Sequence, residues 1–538
     1  MPRPPHPLAL FSLLPCSDSE LAKSVVACPD NARHLSRGPG GDALDVGFHI
    51  RGKSSTTLAV LGRGPEADIY VRGASIGKVQ CSFEVDLQTG VVMLYDRSLG
   101  QTTQVSGPVA MPFEHGRARR VVVRDGLNII IGMGGVRRDL CRFQLIWHRN
   151  DTEMDQIFNR FADIADHQMD NSRLCRTEDE APTELATTMQ TRVHTAVPQP
   201  LKMRYIIVEE VGKLGAGRFG SVHKAIDVDS GTLMAVKILQ QPAVAAQDEW
   251  NRSLYCARKR EVEIMSQLKH RYVIDYIASE GWDGPEVQIF MGLKEGSLKS
   301  LMIGTGADVP TVANLILEQM LEALDFIAFN GIIHRDVKPE NILYTTDRKG
   351  QYRFQLGDFG LCTRHSVAVS HVGTGYYMAP EMFQGVEQTP KVDVWSLFVT
   401  LMWVANAANF REALSSFSNA TMVQQTVQSV ASAVEPFPRI REMAMLDPRE
   451  RASAAQMLVK HFDGKGLSTP RCHVPPLAAD PLALASSIPT ARATRITRAT
   501  SARRPDLVGR LFGAAPPYRA GRLGGPVRPA PYRWLPRR

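Results

Sequence analysis

The sequence predicts a multidomain fold: an all-β sandwich, then an α+β domain, with disordered termini. Three observations carry this. Short apolar runs recur between Phe48 and His148, separated by turn signals, at the spacing of an antiparallel sandwich. From Tyr205 onward, strand-like runs are followed by a helical pattern at Arg258 to Lys269 and an apolar run at Ser396 to Phe410. The C-terminal stretch is rich in Pro, Ala and Arg, with little periodic apolar pattern.

Taken in order, residues 1–45 are expected to be disordered. Leu8 to Leu14 is apolar, but it lacks the charged start and cleavage site of a secretion signal. Residues 46–148 form the sandwich. Its strands are expected at Leu58–Leu61, Cys81–Val85, Val91–Tyr95, Arg120–Val123, Asn128–Ile131 and Phe143–Trp147. Gln88-Thr89-Gly90 and Arg124-Asp125-Gly126 are the turns between them. Residues 149–203 read as a linker, with a short acidic helical-looking piece and then a Thr/Pro-rich stretch. Residues 204–463 form the α+β domain, and 464–538 a disordered basic tail.

Charge is unevenly placed. The chain of 538 residues carries a net +8, yet Lys465 to Arg538 alone has 14 Lys and Arg against two Asp, so the remainder is mildly acidic. Such a tail fits acidic partners or a nuclear address, but it lacks the aromatic interleaving of a sequence-specific nucleic-acid reader. The eight Cys show no CxxC pair or metal-ligand spacing, which fits reduced thiols in the nucleus or cytoplasm. No stretch approaches eighteen apolar residues, so no membrane partner is expected.

The chemistry is concentrated in three segments. His334-Arg335-Asp336-Val337-Lys338-Pro339-Glu340-Asn341 is followed by Asp358-Phe359-Gly360 and by Ala379-Pro380-Glu381. One Asp can orient a hydroxyl, a Lys can hold a phosphate, and an Asn with a second Asp can bind Mg²⁺. Few chemistries besides phosphoryl transfer need that set in that order. Upstream, Gly215, Gly217 and Gly220 lie between two strand-like runs, Tyr205–Val208 and Ser221–Ala225. A dinucleotide fold would require a helix straight after the glycines. A hairpin flap whose bare backbone closes over phosphates fits instead. Lys237 interrupts the apolar run Leu233–Leu239 and suits the inner phosphates of a nucleotide. In the helical stretch that follows, Glu261 and Glu263 both qualify as its anion.

These motifs make residues from about Arg204 to Phe462 resemble a eukaryotic protein kinase domain. Gly373-Thr374-Gly375, Asp393-Val394-Trp395-Ser396 and Asp447-Pro448-Arg449-Glu450-Arg451 agree. The resemblance implies a bilobal fold, ATP as phosphate donor and Mg²⁺ as cofactor. It implies that Gly215, Gly217 and Gly220 cover ATP, that Val222 and Ala235 roof the adenine, and that Met291 is the gatekeeper. It pairs Lys237 with Glu261, by its spacing from His270. Asp336 becomes the catalytic base, Lys338 the contact to the transferred phosphate, and Asn341 and Asp358 the metal ligands. Glu381 is expected against Arg451, and Asp393 beneath the catalytic loop. Thr363, Ser366, Ser370 and Thr374 lie in the activation segment, with Arg335 as receiver of a phosphate. Asp-x-Lys, with Thr374 ahead of Ala379, is the serine/threonine pattern. The hinge Phe290-Met291-Gly292-Leu293 departs from many kinases in lacking an acidic residue, and Phe398 stands where a Gly is common.

The N-terminal region resembles a forkhead-associated domain, a reader of phosphothreonine peptides, on three features. They are Leu61-Gly62-Arg63, a Ser/Gly-containing turn before Cys81–Val85, and Tyr95-Asp96-Arg97-Ser98 before a polar loop. Arg63 and Ser75 are the implied phosphopeptide ligands. The match is degenerate: Ser75 or Gly77 stands for the family's Ser, Lys78 or Gln80 for its His, and Gly100-Gln101-Thr102 for Asn-Gly-Thr. The expected activity is transfer of the ATP γ-phosphate to Ser/Thr of protein substrates, in an arrangement similar to checkpoint-type kinases, with a phosphorylation-dependent dimer. The alternative is a kinase-fold scaffold that docks partners. A small-molecule kinase is disfavoured by the peptide platform that the activation segment and Ala379-Pro380-Glu381 imply.

Overall fold

The computed structural model describes residues 3–38, 40–50, 54, 56–86, 89–148, 202–209, 221–240, 255–282, 284, 286–304, 306–347, 349–364, 375–384, 386–417, 419–477 and 512. It divides into two compact units, Met1–Gly217 with Ser221–Val236, and Arg218–Gly220 with Lys237–Arg538.

The first unit opens with eleven strands: β1 Ala9–Pro15, β2 Leu35–Gly38, β3 Gly41–Gly47, β4 Thr57–Gly62, β5 Ile69–Tyr70, β6 Cys81–Val85, β7 Val92–Asp96, β8 Thr103–Ser106, β9 Arg120–Val122, β10 Ile130–Met133 and β11 Cys141–Trp147. They form a six-stranded sheet, β2-β3-β1-β11-β10-β8, and a five-stranded sheet, β5-β4-β6-β7-β9. Alternation along β11, buried at Cys141, Phe143 and Leu145, is the period-2 signature of a half-buried strand. Phe11, Phe83 and Phe143 are fully buried in the shared apolar core. At the Arg124–Gly126 turn, Gly126 adopts φ +78, where a Cβ would be strained.

The expectation of disorder over residues 1–45 is corrected here. β1 pairs with both β11 and β3, so it lies inside the six-stranded sheet. Leu10, Phe11 and Leu13 are fully buried. A near-continuous apolar run reads equally as a signal core or as an interior strand, and burial decides for the strand. Helix α1, Glu20–Val26, follows, capped by Ser19.

A histidine cluster sits on this sheet. The rings of His6 and His49 stack at 4.4 Å, with His34 at 6.2 Å from His49. Buried Asp45 accepts from the hydroxyls of Ser12 and Ser36. Burial first, and then the charge of His6, lower the His49 pKa to about 4, while Asp45 pulls the other way. The unfolded chain therefore takes up a proton near pH 6.5 that folded His49 refuses until about 4, and stability is lost as pH falls through that window. Melting curves at pH 7.5 and pH 5 should show His49→Leu losing about 1–2 kcal/mol less than wild type between them, the lower end where solvent screens the half-exposed ring. Equal losses would exclude this origin.

The first unit continues with β12, Tyr205–Glu209, and β13, Ser221–Asp227, an antiparallel pair. Strand β14, Leu233–Gln240, crosses the division between Val236 and Lys237.

The second unit contains helix α2, Tyr255–Gln267, and the antiparallel strands β15, Tyr276–Glu280, and β16, Glu286–Gly292. Leu239, Val262, Val287 and Ile289 form a small core there. Short strands β17 Gly296–Ser297, β18 Ile332–Ile333, β19 Ile342–Thr346, β20 Tyr352–Leu356 and β21 Thr363–Arg364 frame the loops described below. The helices are α3 Leu298–Gly304, α4 Val309–Phe329, α5 Lys391–Ala405, α6 Phe410–Ala413, α7 Ala420–Ala433 and α8 Ala454–Phe462. Helix α5 is buried from Val392 to Val404, as its predominantly apolar sequence requires. Among the described residues no helix is long and apolar enough to cross a membrane. Phe398 on α5 is fully buried and meets Phe437 edge-on at 5.4 Å, which explains a large residue at that position.

The expectation of disorder is corrected likewise for residues 464–477. Residues 464–477 are described, and Asp325 of α4 accepts from the backbone of Ser468 and Thr469 and from the Thr469 hydroxyl. Phe512 stacks edge-on Phe437 at 5.9 Å. The rest of 478–538, and the linker from 149 to 201, lie outside the described residues.

Candidate active site

The segment between β18 and β19 is held from below by one carboxylate. Asp393, near the start of α5 and 1 % exposed, accepts the backbone N–H of His334 and of Arg335, both at 2.8 Å. Burial raises the Asp393 pKa, and those two donors work against it. The arrangement fixes Arg335 at φ +67, a left-handed conformation that costs a residue with a Cβ about 1–3 kcal/mol unless its surroundings impose it. The His334 ring meets the carbonyl of Gly357 at 3.0 Å and the Phe359 ring at 4.9 Å. Burial also lowers the Arg335 pKa.

Asp336 is the centre of the next layer. Lys338 Nζ donates to its Oδ2 at 2.7 Å. Asn341 Nδ2 donates to the same oxygen at 2.9 Å and to the Asp336 carbonyl at 2.8 Å. All three lie within six residues, so a single tight loop suffices to converge them. The carboxylate is thereby oriented, and a cation is kept beside it. The amide nitrogen of Asn341 is committed to Asp336, which turns its oxygen elsewhere.

Gly357 N–H donates to the Asn341 carbonyl at 2.8 Å, tying the Asp358 segment to this loop. Asp358 takes φ 55, ψ 74, and the following Phe359 is fully buried. Lys237 Nζ lies 3.1 Å from Asp358 Oδ1. Burial pushes the Asp358 carboxyl up, but the ammonium of Lys237 outweighs it and holds the group below the ordinary carboxylate range. The sequence reading pairs Lys237 with Glu261 and did not foresee its contact with Asp358. Glu261 lies on α2, and its side chain is outside the described residues. The oxygen donors of Asn341 and Asp358 fit Mg²⁺, a hard cation that takes carboxylate and carbonyl oxygens.

Val222 on β13, Ala235 on β14 and Met291 on β16 are each half-buried. Met291 packs on the fringe of two apolar clusters of the second unit. Gly215, Gly217, Gly220, Ser366, Ser370 and Thr374 lie outside the described residues. Thr363 begins β21, paired with Ile333 beside the catalytic loop. Past the activation segment, Arg451 meets Glu381 through both nitrogens at 2.6 and 2.9 Å, and both are almost fully buried. Cys362 is half-buried, its thiol 3.6 Å from the His334 carbonyl.

In the sandwich, the turn 75–80 contains all four candidate positions, Ser75, Gly77, Lys78 and Gln80. Gln80 is fully buried. It accepts from the Gly77 N–H at 2.8 Å and donates to the hydroxyls of Thr102 and Thr103. Gln80 thus ties the turn 75–80 to the loop 98–103, and Gly77 sits three residues ahead of it. Exposed Arg63 donates from Nε to the Ile76 carbonyl at 2.7 Å, beside exposed Ser75. Gln101 adopts φ +50 in the opposite loop. Among the described residues no group of His, Cys, Asp and Glu is arranged to hold a metal ion.

Comparison with known proteins agrees with the geometry of the second unit and its flanking strands. The protein kinase domain family matches residues 208–462. Mitogen-activated protein kinase kinase kinase A of Dictyostelium discoideum is 31% identical over 265 residues, 46% of this chain and 27% of that protein. Human serine/threonine-protein kinase 10 is 32% identical over 208 residues, 37% of this chain and 20% of that protein. Mouse mitogen-activated protein kinase kinase kinase 3 is 30% identical over 300 residues, 52% of this chain and 45% of that protein. The chain therefore spans less than half the length of these relatives. Residues 208–462 are a eukaryotic serine/threonine protein kinase domain.

Proposed function

We propose that the whole chain is an ATP-dependent protein serine/threonine kinase with a forkhead-associated sandwich that docks phosphopeptides. The observation that carries the first half is the convergence of Lys338 and Asn341 on Asp336, over the Asp393 anchor. Asp336 accepts the proton of a substrate hydroxyl as the hydroxyl oxygen attacks the γ-phosphorus, and the bond to the β,γ-bridging oxygen breaks to release ADP. Lys338 offsets charge on the transferred phosphoryl group, and Lys237 holds the inner phosphates. Asn341 and Asp358 would hold Mg²⁺, which would supply charge neutralisation to the phosphates. A scaffold without activity has no use for this set. An oriented peptide library with γ-labelled ATP tests the assignment: label belongs on Ser and Thr peptides, and label confined to Tyr peptides or small alcohols contradicts it.

Activation follows from Arg335, whose buried guanidinium is the natural receiver of a phosphate from the activation segment. Ser366 and Ser370 are the favoured sites, with Thr374 kept for substrate positioning. A phosphate there orders the segment through one to three charge-assisted bonds. The doubly substituted Ser366→Ala, Ser370→Ala chain should lose most of its activity after autophosphorylation, and undiminished turnover would refute the assignment.

The sandwich pairs two packed sheets, and Arg63 after β4 reaches the Ile76 carbonyl beside Ser75 in the turn before β6, which supports the forkhead-associated reading and a likeness to checkpoint-type kinases. Arg63 suits a phosphate dianion. Thr183, Thr187, Thr188, Thr191 or Thr195 of the linker, once phosphorylated, docks on a second copy and gives a dimer activated in trans. Nucleus and cytoplasm are the proposed locations. Calorimetry of the full chain with phosphorylated and plain linker peptides should show binding of the phosphorylated form alone, abolished in Arg63→Ala. Equal, negligible heats would remove the phosphopeptide role.

A further inference from the structure

The turn that leaves β13 is seated on the sandwich, all within the first unit. Asp229 is its charged anchor. Arg117 reaches Asp229 Oδ2 at 2.8 Å, and Arg204 reaches Oδ1 at 2.9 Å. Arg120 Nε donates to the Asp229 carbonyl at 2.9 Å. Glu114 bridges both cations, at 2.7 Å from Arg117 and 3.1 Å from Arg204. The side chains of Arg117, Arg204 and Asp229 are 12%, 10% and 17% exposed, so the centre of the network is largely withdrawn from water, with Glu114 at its rim, 47% exposed. Surface ion pairs contribute little, whereas a desolvated, multiply bonded network fixes geometry.

Backbone and core repeat the message. Val122 N–H of edge strand β9 donates to the Val228 carbonyl at 2.9 Å. Val228 is fully buried within the sandwich core cluster, and Ile206 and Val208 of β12 pack on its fringe. At Gly231, φ +76, a Cβ would lie 2.8 Å from the Met93 sulfur. A larger residue there would be strained by the backbone and would displace the Met93 side chain.

Val222, assigned to the adenine, lies on β13, which pairs with β12. We infer that the sandwich is a positioning element of the catalytic domain: through Asp229, Arg117 and Arg204 it holds strands β12 and β13 and sets nucleotide affinity. The inference rests on the kinase reading above. It gives the sandwich a function independent of any phosphopeptide, since Arg63 and Ser75 belong to other turns.

The test uses the full chain with Asp229→Arg, which sets a cation against three arginines, and Asp229→Asn, which keeps the shape and removes the charge. Hydrogen exchange at the Val122 amide, which donates to the Val228 carbonyl, reports release, and calorimetry with ADP reports nucleotide affinity. Faster exchange at Val122 and about 5-fold or more weaker ADP binding are expected, stronger in Asp229→Arg, with kcat at saturating ATP within about twofold of wild type. Unchanged exchange in both variants would overturn the docking. Faster exchange with unaltered ADP affinity would overturn the coupling, as would kcat falling while affinity holds. A wild-type chain that binds ADP but transfers no phosphate sinks the kinase reading alone, because affinity remains readable.

Discussion

Asp336→Asn should bind ATP as wild type does and transfer phosphate about 10²–10⁴-fold more slowly, the range for loss of a positioned proton acceptor. The substitution is close to isosteric. One side-chain atom still sits beside Lys338 and Asn341, whose nitrogens now stand 2.7 and 2.9 Å from the carboxylate. What disappears is the negative charge and the basic oxygen. Nucleotide contacts assigned to Lys237, Val222 and Ala235 do not involve Asp336, so affinity and turnover separate. Single-turnover transfer from γ-labelled ATP gives the rate, and calorimetry gives the affinity. A variant with unchanged rate removes Asp336 from the chemistry. A variant that loses nucleotide binding instead makes Asp336 a structural residue.

Arg451→Met should destabilise the fold by about 3–5 kcal/mol, the cost of leaving a buried carboxylate without its partner. Glu381 is 3% exposed and Arg451 1%, so neither can recover water. Arg451 also donates to the carbonyls of Met445 and Leu446 and lies over the Trp395 ring at 5.1 Å. Its loss leaves those acceptors unpaired as well. Glu381→Gln combined with Arg451→Met should recover part of the deficit, because no bare charge then remains inside. Urea unfolding of wild type, single and double variants measures this as a cycle. A single-variant loss under about 1 kcal/mol would show that the pair is not desolvated in solution.

Much of the catalytic loop was legible because its chemistry is local. Asp336, Lys338 and Asn341 fall within six residues, and their spacing constrains what they can hold. The partner of Lys237 was not legible. Asp358 lies 121 positions away, and only the fold decides which nearby carboxylate an ammonium meets. In the sandwich, alternation marked β11, but β1 was lost, because a strand buried on both faces has no polar alternation to announce it. Gln80 was ambiguous for a similar reason. Its role depends on reaching Thr102 and Thr103 across the domain, and no local spacing reports that. The seat of Asp229 on the sandwich had no sequence signal, since Arg117, Arg204 and Asp229 come from three separate segments.

The most direct test puts two measurements on one preparation of the full chain with Mg²⁺: ATP binding by calorimetry, and transfer of the labelled γ-phosphate to a Ser/Thr peptide library. The account predicts binding together with label on Ser and Thr hydroxyls, and loss of the label in Asp336→Asn. Normal binding with no label on any peptide, after the activation segment has been phosphorylated, would contradict it and leave the chain a nucleotide-binding scaffold.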